Sequence, residues 1–275
     1  MEITVEDPTV KLTAGGKPAG NGEYMSAELY FEKIEKQIHA LGVNSMPAIK
    51  QAAESMANSI AAGRVVYYFG SGHSCIPCLD VFPRYGSFVG LQPLHNTPLM
   101  WSNVVGPGGT PELLWIERQE GYVANVLKYY VIKPEDTFIV ISHGGLNAAS
   151  IECAMIAKEH GATVVALTSM QNYKLNPAKH SSGKKLADVA DIVIDNGAPP
   201  EDSIIQIDGW DEPVAASSTV TCLTISMALV AQTAANLAAK GIHIPTFVSP
   251  NVAKTPDHNE QVYKLYCEKV RRAIY

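Results

Sequence analysis

The chain has 275 residues, 47% of them hydrophobic and 17% charged, with a formal net charge of −6. An acidic balance argues against a nucleic-acid partner, because non-specific binding needs basic groups to displace counterions. It leaves room for a small anionic ligand, since a few backbone N–H groups hold one phosphate whatever the global charge.

Residues 1–22 contain "TAGGKPAGNG" and read as a flexible arm. The segment "MEITVEDPTV" carries acids where a signal peptide needs positive charge. No apolar run reaches the ~18 residues of a membrane span. The five cysteines, Cys75, Cys78, Cys153, Cys222 and Cys267, are odd in number and scattered, as expected for reduced thiols. A soluble, cytoplasmic protein without a membrane partner is expected.

Helical spacing of Leu29, Ile34, Ile38 and Leu41 predicts a helix over about 24–41, and a second follows over about 44–61. "RVVYYF" (64–69) reads as a strand and "SCIPCLDVFPRYGSF" as an irregular helix with two prolines. "LQPLH" is an edge-strand candidate. "DTFIVIS" (136–142), "TVVALTS" (163–169) and "ADIVIDN" (190–196) are further strands, with a helix over "NAASIECAMIAKEHG" between the first two. Short apolar strands separated by helices predict a doubly wound parallel sheet. The segment 217–241 reads as a long helix, apolar almost all round, covered by the sheet on one side and a partner subunit on the other. A last helix covers about 259–273.

The first strand ends in Gly70-Ser71-Gly72-His73-Ser74. A dinucleotide fingerprint needs a third glycine, where Cys75 stands, and a later acid for the ribose. A hydrolase elbow needs glycine where Ile76 stands. Cys75 and Cys78 beside His73 lack the further ligands of a metal site, so they read as two packed thiols. An anion cradle explains more. The second strand ends in Ser142-His143-Gly144-Gly145-Leu146-Asn147, the third in Thr168-Ser169, and Ser217-Ser218-Thr219 opens the long helix. Four such junctions at the carboxyl edge of one sheet suit an oxyanion, although each alone is an ordinary helix cap.

The motifs "FGSGHS", "ALTS", "HSSGKKLADVADIVIDN", "STVT" and "SPNVAKTPDHN" together resemble the sugar isomerase (SIS) domain family, nearest to a bacterial branch known as sugar isomerase domain proteins. The resemblance implies a three-layer αβα sandwich with a flavodoxin-like five-stranded parallel sheet and an N-terminal helical pair, all within one domain over 23–275. It implies a phosphosugar ligand, no cofactor or metal, and a homodimer or homotetramer with sites near the subunit interface. By resemblance Ser71, Ser74, Ser142, Ser217, Ser218 and Thr219 cradle the phosphate, with Gly70, Gly72, His73, His143, Gly144, Asn147, Thr168 and Ser169 completing the binding set. The family's second loop usually reads Ser-x-Ser-Gly. Here His143 and Gly144 follow Ser142, so one hydroxyl is absent and a histidine is added.

Aldose–ketose isomerisation needs a base to move a proton between C1 and C2 and an acid for O1 and O2. "ELLWIERQEGY" offers Glu112, Glu117 and Glu120, the last two three apart and therefore on one face if helical. By resemblance a glutamate here is the base, with Glu120 expected and Glu117 its alternate. His258 resembles a histidine that reaches a neighbouring subunit's site in some members. Lys184 reads equally as an anion partner or a surface lysine, Trp101 and Asn103 as pocket lining or packing, and His95 as a loop histidine after an edge segment. A sugar-phosphate isomerase is expected, because no basic DNA-binding domain precedes residue 23. A non-catalytic phosphosugar sensor and an etherase or lyase stay open.

Overall fold

The computed structural model describes residues 26–100, 108–253 and 255–274. The N-terminal arm, Trp101 and Asn103 lie outside them. In chain order the elements are α1 (Ser26–Asn44), α2 (Met46–Ala61), β1 (Val66–Gly70), α3 (Cys75–Asp80), β2 (Leu91–Pro93), α4 (Gly109–Ile116), α5 (Tyr122–Leu127), β3 (Thr137–Ile141), α6 (Ala148–Glu159), β4 (Thr163–Thr168), α7 (Met170–Leu175), α8 (Leu186–Val189), β5 (Ile192–Asp195), β6 (Ser203–Ile205), β7 (Val214–Ala216), α9 (Ser218–Ala239) and α10 (His258–Ile274).

Five parallel strands form one sheet in the order β2-β1-β3-β4-β5, with Val66 opposite both Leu91 and Thr137. Side chains alternate across a strand, so each strand serves two cores. Val66, Tyr68, Ile139, Ile141, Val165 and Leu167 pack with Met56 and Ile60 of α2 and Ile225 and Leu229 of α9. Tyr67, Phe69, Phe138, Val140 and Val164 pack on the other side with Val123 of α5 and Ile151 and Ala154 of α6. The result is the three-layer sandwich that the strand pattern implies.

The 22-residue α9 is long and apolar enough to cross a membrane by length and composition. Here one face lies along α2 and α3, and its Ile225 and Leu229 are fully buried. Burying each such side chain contributes roughly 1.5–3 kcal/mol.

Two expectations fail locally. The irregular helix stops at Asp80, because Pro83 has no N–H to extend it and the chain turns instead. The helix expected to carry Glu117 and Glu120 ends at Ile116, with Glu117 at its C-cap, so the two glutamates do not share a helical face. The β6–β7 hairpin was not foreseen, because three-residue strands carry too little periodicity to read.

Candidate functional site

The strand order reverses at β1, with β2 on one side and β3 on the other. Open α/β sheets bind ligands at this switch point, outside the carboxyl ends of the strands. The turn after β1 is tight: Ser74 N–H donates to Ser71 O (3.1 Å) and Gly72 N–H to Leu99 O (2.8 Å). A Cβ on Gly70 would sit 2.3 Å from the Ser74 carbonyl oxygen, inside contact distance. Gly70→Ala must therefore move the turn. We expect a loss of about 1–3 kcal/mol, as for overpacking, read as a lower urea midpoint together with weaker anion binding.

The turn after β3 is held from behind. Ser142 Oγ accepts from Gly145 N–H (3.1 Å). The His143 carbonyl accepts from Thr168 Oγ1 (3.2 Å) and Ser169 N–H (3.1 Å). Ser169 Oγ donates to Ala198 O (2.7 Å) and accepts from Asn172 N–H, capping α7. Thr168 and Ser169 were expected in the binding set. Both are buried and engaged with the protein's own backbone, so they position the His143 turn instead of facing a ligand.

The start of α9 is held by Asp202. Its Oδ1 accepts from Ser217 N–H (3.0 Å) and Ser218 N–H (2.6 Å), and its Oδ2 accepts from Ser218 Oγ (2.7 Å). Ser217 Oγ donates to the Asp202 carbonyl and the residue is fully buried, so it too is a positioning residue. Nothing in the sequence marked Asp202 for this role, since its capping contact crosses the β6–β7 hairpin.

Three of the four junctions meet at one point. His73, Ser74, His143, Ser218, Thr219 and Cys222 line a cavity of 10 Å³, a space for about one water. Burial pushes the Cys222 thiol up to about 12, so it stays a neutral thiol.

Glu117 lies at the same carboxyl edge, tied to the β1 turn and to the start of α6. Its Oε2 accepts from Ser71 Oγ (2.8 Å) and its Oε1 from Asn147 Nδ2 (2.6 Å). The residue is 6% exposed. Burial raises its carboxyl above the ordinary 4.5, while the Ser71 hydrogen bond and Arg118 pull part of the way back. Ser71 and Asn147 thus contact the glutamate, not the cavity.

Glu120 has a different environment. It is exposed and accepts from Ser181 Oγ and from Ser181 N–H (2.7 Å), which hold its carboxyl below the ordinary range. His180 Nε2 stands 3.8 Å from Glu120 and 3.9 Å from Glu152. Glu120 therefore anchors the 176–185 segment, whose far end reaches the His143 turn through Leu186 N–H and Gly145 O (2.9 Å). His258 Nε2 donates to the Thr246 carbonyl (2.8 Å), which pairs with Phe88 just before β2, and no hydrogen bond joins it to Glu117 or the cavity among the described residues. Within one chain the expected pair of Glu120 and His258 is not brought together.

The family model "SIS domain" matches residues 29–169. A UPF0309 protein of Geobacillus kaustophilus is 34% identical over 241 residues, covering 88% of this chain and 94% of that one. The chain belongs to the SIS domain family. A UPF0309 protein of Listeria monocytogenes serotype 4b is also 34% identical, over 82% of this chain and 90% of that one. Among solved structures, phosphoheptose isomerase from Neisseria gonorrhoeae superposes with a TM-score of 0.51 at 16% identity, covering 76% of this chain and 97% of that chain. At that identity the likeness is one of fold. This SIS domain protein thus shares its fold with that phosphoheptose isomerase, with His143 in its second loop.

Proposed function

We propose that this SIS domain protein binds a phosphosugar at the β1–β3 switch point and interconverts its aldose and ketose forms, with Glu117 as the base. The observation that carries the reading is the buried Glu117 carboxylate, aimed by Ser71 and Asn147 from the two loops that flank the switch point. A carboxyl raised by burial is a stronger base than an exposed one, which suits proton abstraction beside a carbonyl. Ser74, Thr219 and the two histidines, which line the small cavity between these loops, mark where the phosphate binds in this reading, while Ser218 Oγ already donates to Asp202. Glu117 removes the proton from C2 of the open-chain aldose, the released electron pair forms the C1=C2 bond, and the carbonyl π pair moves onto O1 to give the enediolate. The same group returns the proton to C1 while a second proton passes from O2 to O1, giving the ketose.

Incubation with aldose and ketose phosphates in D2O tests this by NMR. Deuterium entering at C1 or C2 is the expected result. Tight binding without exchange by any member of the panel overturns the isomerase and leaves a phosphosugar sensor.

A pH profile adds a second check. Glu117 must be ionised to accept a proton and its carboxyl is raised, so kcat/KM should climb through an acid limb centred above 4.5. A limb at or below that value would remove Glu117 as the base.

A further inference from the structure

The start of α9 already holds an anion, and that anion belongs to the protein. Ser217 N–H and Ser218 N–H donate to Asp202 Oδ1 (3.0 and 2.6 Å), and Ser218 Oγ donates to Oδ2 (2.7 Å). These are the donors that a ligand oxyanion would use at a helix start. Beside them, the space lined by Ser74, Ser218 and Thr219 measures 10 Å³, room for about one water and not for a phosphate. With the Asp202 carboxylate in place, the cavity of the proposed function is closed.

The segment that carries Asp202 is strained. Asp202 has a φ of 66° and Ala215 a φ of 63°, and these are the two non-glycine residues with positive φ among the described residues. Left-handed backbone costs energy at such residues and persists where the surroundings impose it, which is why it gathers at functional sites. Both residues lie at the same end of the β6–β7 hairpin, next to the Ser203–Ala216 pair. The hairpin consists of two three-residue strands and forms a sheet of its own. It can therefore shift without breaking a ladder of the five-stranded sheet, and two strands by themselves are marginally stable. Asp202 is only partly buried.

We propose that Asp202 is an autoinhibitory plug: an incoming phosphate or sulfate dianion displaces its carboxylate from the start of α9 and takes over the Ser217 N–H, Ser218 N–H and Ser218 Oγ donors. The proposal rests on the anion-cradle part of the function above and is independent of whether turnover follows. The volume vacated by the carboxylate joins the 10 Å³ cavity and opens it toward Ser74 and Thr219. The exchange is selective. A ligand carboxylate only replaces one carboxylate by another, whereas a dianion brings a second negative charge and a further oxygen for charge-assisted hydrogen bonds.

Titration of the ¹³C,¹⁵N-labelled full chain with inorganic phosphate and with sulfate, followed by NMR at 0.15 M salt, tests the plug. In the saturated complex the Asp202 carboxyl carbon should move to the position of a free, solvated carboxylate, while the Ser218 amide stays hydrogen-bonded. This readout needs no variant. Asp202→Asn keeps the shape of the contact and replaces charge-assisted hydrogen bonds by neutral ones, so phosphate should bind about tenfold tighter. The same variant should melt below the parent without ligand, because its cap on α9 is weaker. A merely structural Asp202 gives the lower melting point without the gain in affinity. Glu201→Gln removes the same charge at an exposed neighbouring position and should leave Kd within about twofold. An Asp202 carboxyl that is unmoved in the saturated complex, an Asp202→Asn variant that binds phosphate no tighter than the parent, or an equal gain in Glu201→Gln would overturn the plug and leave the cradle intact. Failure of phosphate and sulfate to bind the parent and Asp202→Asn alike would remove the cradle itself, and the plug with it.

Discussion

Glu117→Gln should slow C1/C2 exchange by about 10²–10⁴-fold, the range that general acid–base groups contribute, or roughly 3–5 kcal/mol of barrier. Glutamine keeps the shape of the site. Its carbonyl can accept from Asn147 Nδ2 and its NH2 can donate to Ser71 Oγ, so both contacts survive. What is lost is the ability to take a proton. Ligand affinity should change little, since Glu117 is not among the residues that line the proposed phosphate cavity. Glu120→Gln is the control: it loosens the contact with Ser181 and should cost less than about tenfold, a conformational effect on the His143 turn. Loss of exchange in Glu120→Gln with full activity in Glu117→Gln would reverse the assignment.

The same substitution should act on stability with the opposite sign. The folded carboxyl of Glu117 is raised above its unfolded value near 4.5. The unfolded chain therefore releases this proton at lower pH than the folded one, and ionisation opposes folding above the folded value. Glu117→Gln removes that penalty. The variant should melt above the parent at pH 7–8, a gain that fades as pH falls below the folded value and vanishes below about 4.5, where both states are protonated. An active site that is less stable than its isostere is the expected signature of a functional buried charge.

The second large effect lies at the opposite edge of the sheet. Asp136, just before β3, takes Arg64 Nε at 2.9 Å and Arg64 Nη2 at 2.8 Å, and also accepts from Lys133 N–H at 2.7 Å. Its side chain is fully buried, and that of Arg64 is 14% exposed. Arg64 also donates to the Val131 carbonyl (2.7 Å), so the pair joins the amino ends of β1 and β3 to the segment between them. Asp136→Ala leaves a largely buried guanidinium without its counter-charge, and we expect a loss of about 3–5 kcal/mol, measured as a drop in the urea midpoint at constant slope. Exchange per folded molecule should be unchanged, because the sheet's full length separates this pair from the carboxyl-end loops. A variant that folds normally but loses exchange would show that the two ends are coupled.

Much of the architecture was legible because it is local. Tyr68 and Ile139 sit in short apolar runs, and α6 and α9 repeat apolar residues at helical spacing, so element type and sheet class follow from the chain itself. The expectation of a loop cluster at the carboxyl edge follows from the same pattern, since parallel strands place all such junctions on one side. Roles within the cluster were not legible, because they depend on which partner each polar group meets. Thr168, Ser169 and Ser217 look like Ser74 and Thr219 in sequence, yet the first three bond backbone carbonyls and the last two face the cavity. Glu117 and Glu120 are three residues apart with the same side chain. One meets Ser71 and Asn147 across 46 and 30 residues and is buried, and the other meets Ser181 at the surface. The sequence by itself determined the strands of the parallel sheet, its layers and the edge where its strand-to-helix junctions gather. Only the tertiary structure decided which glutamate is buried and raised and which hydroxyls are left facing the cavity, because desolvation and hydrogen bonding are set by neighbours distant in the chain.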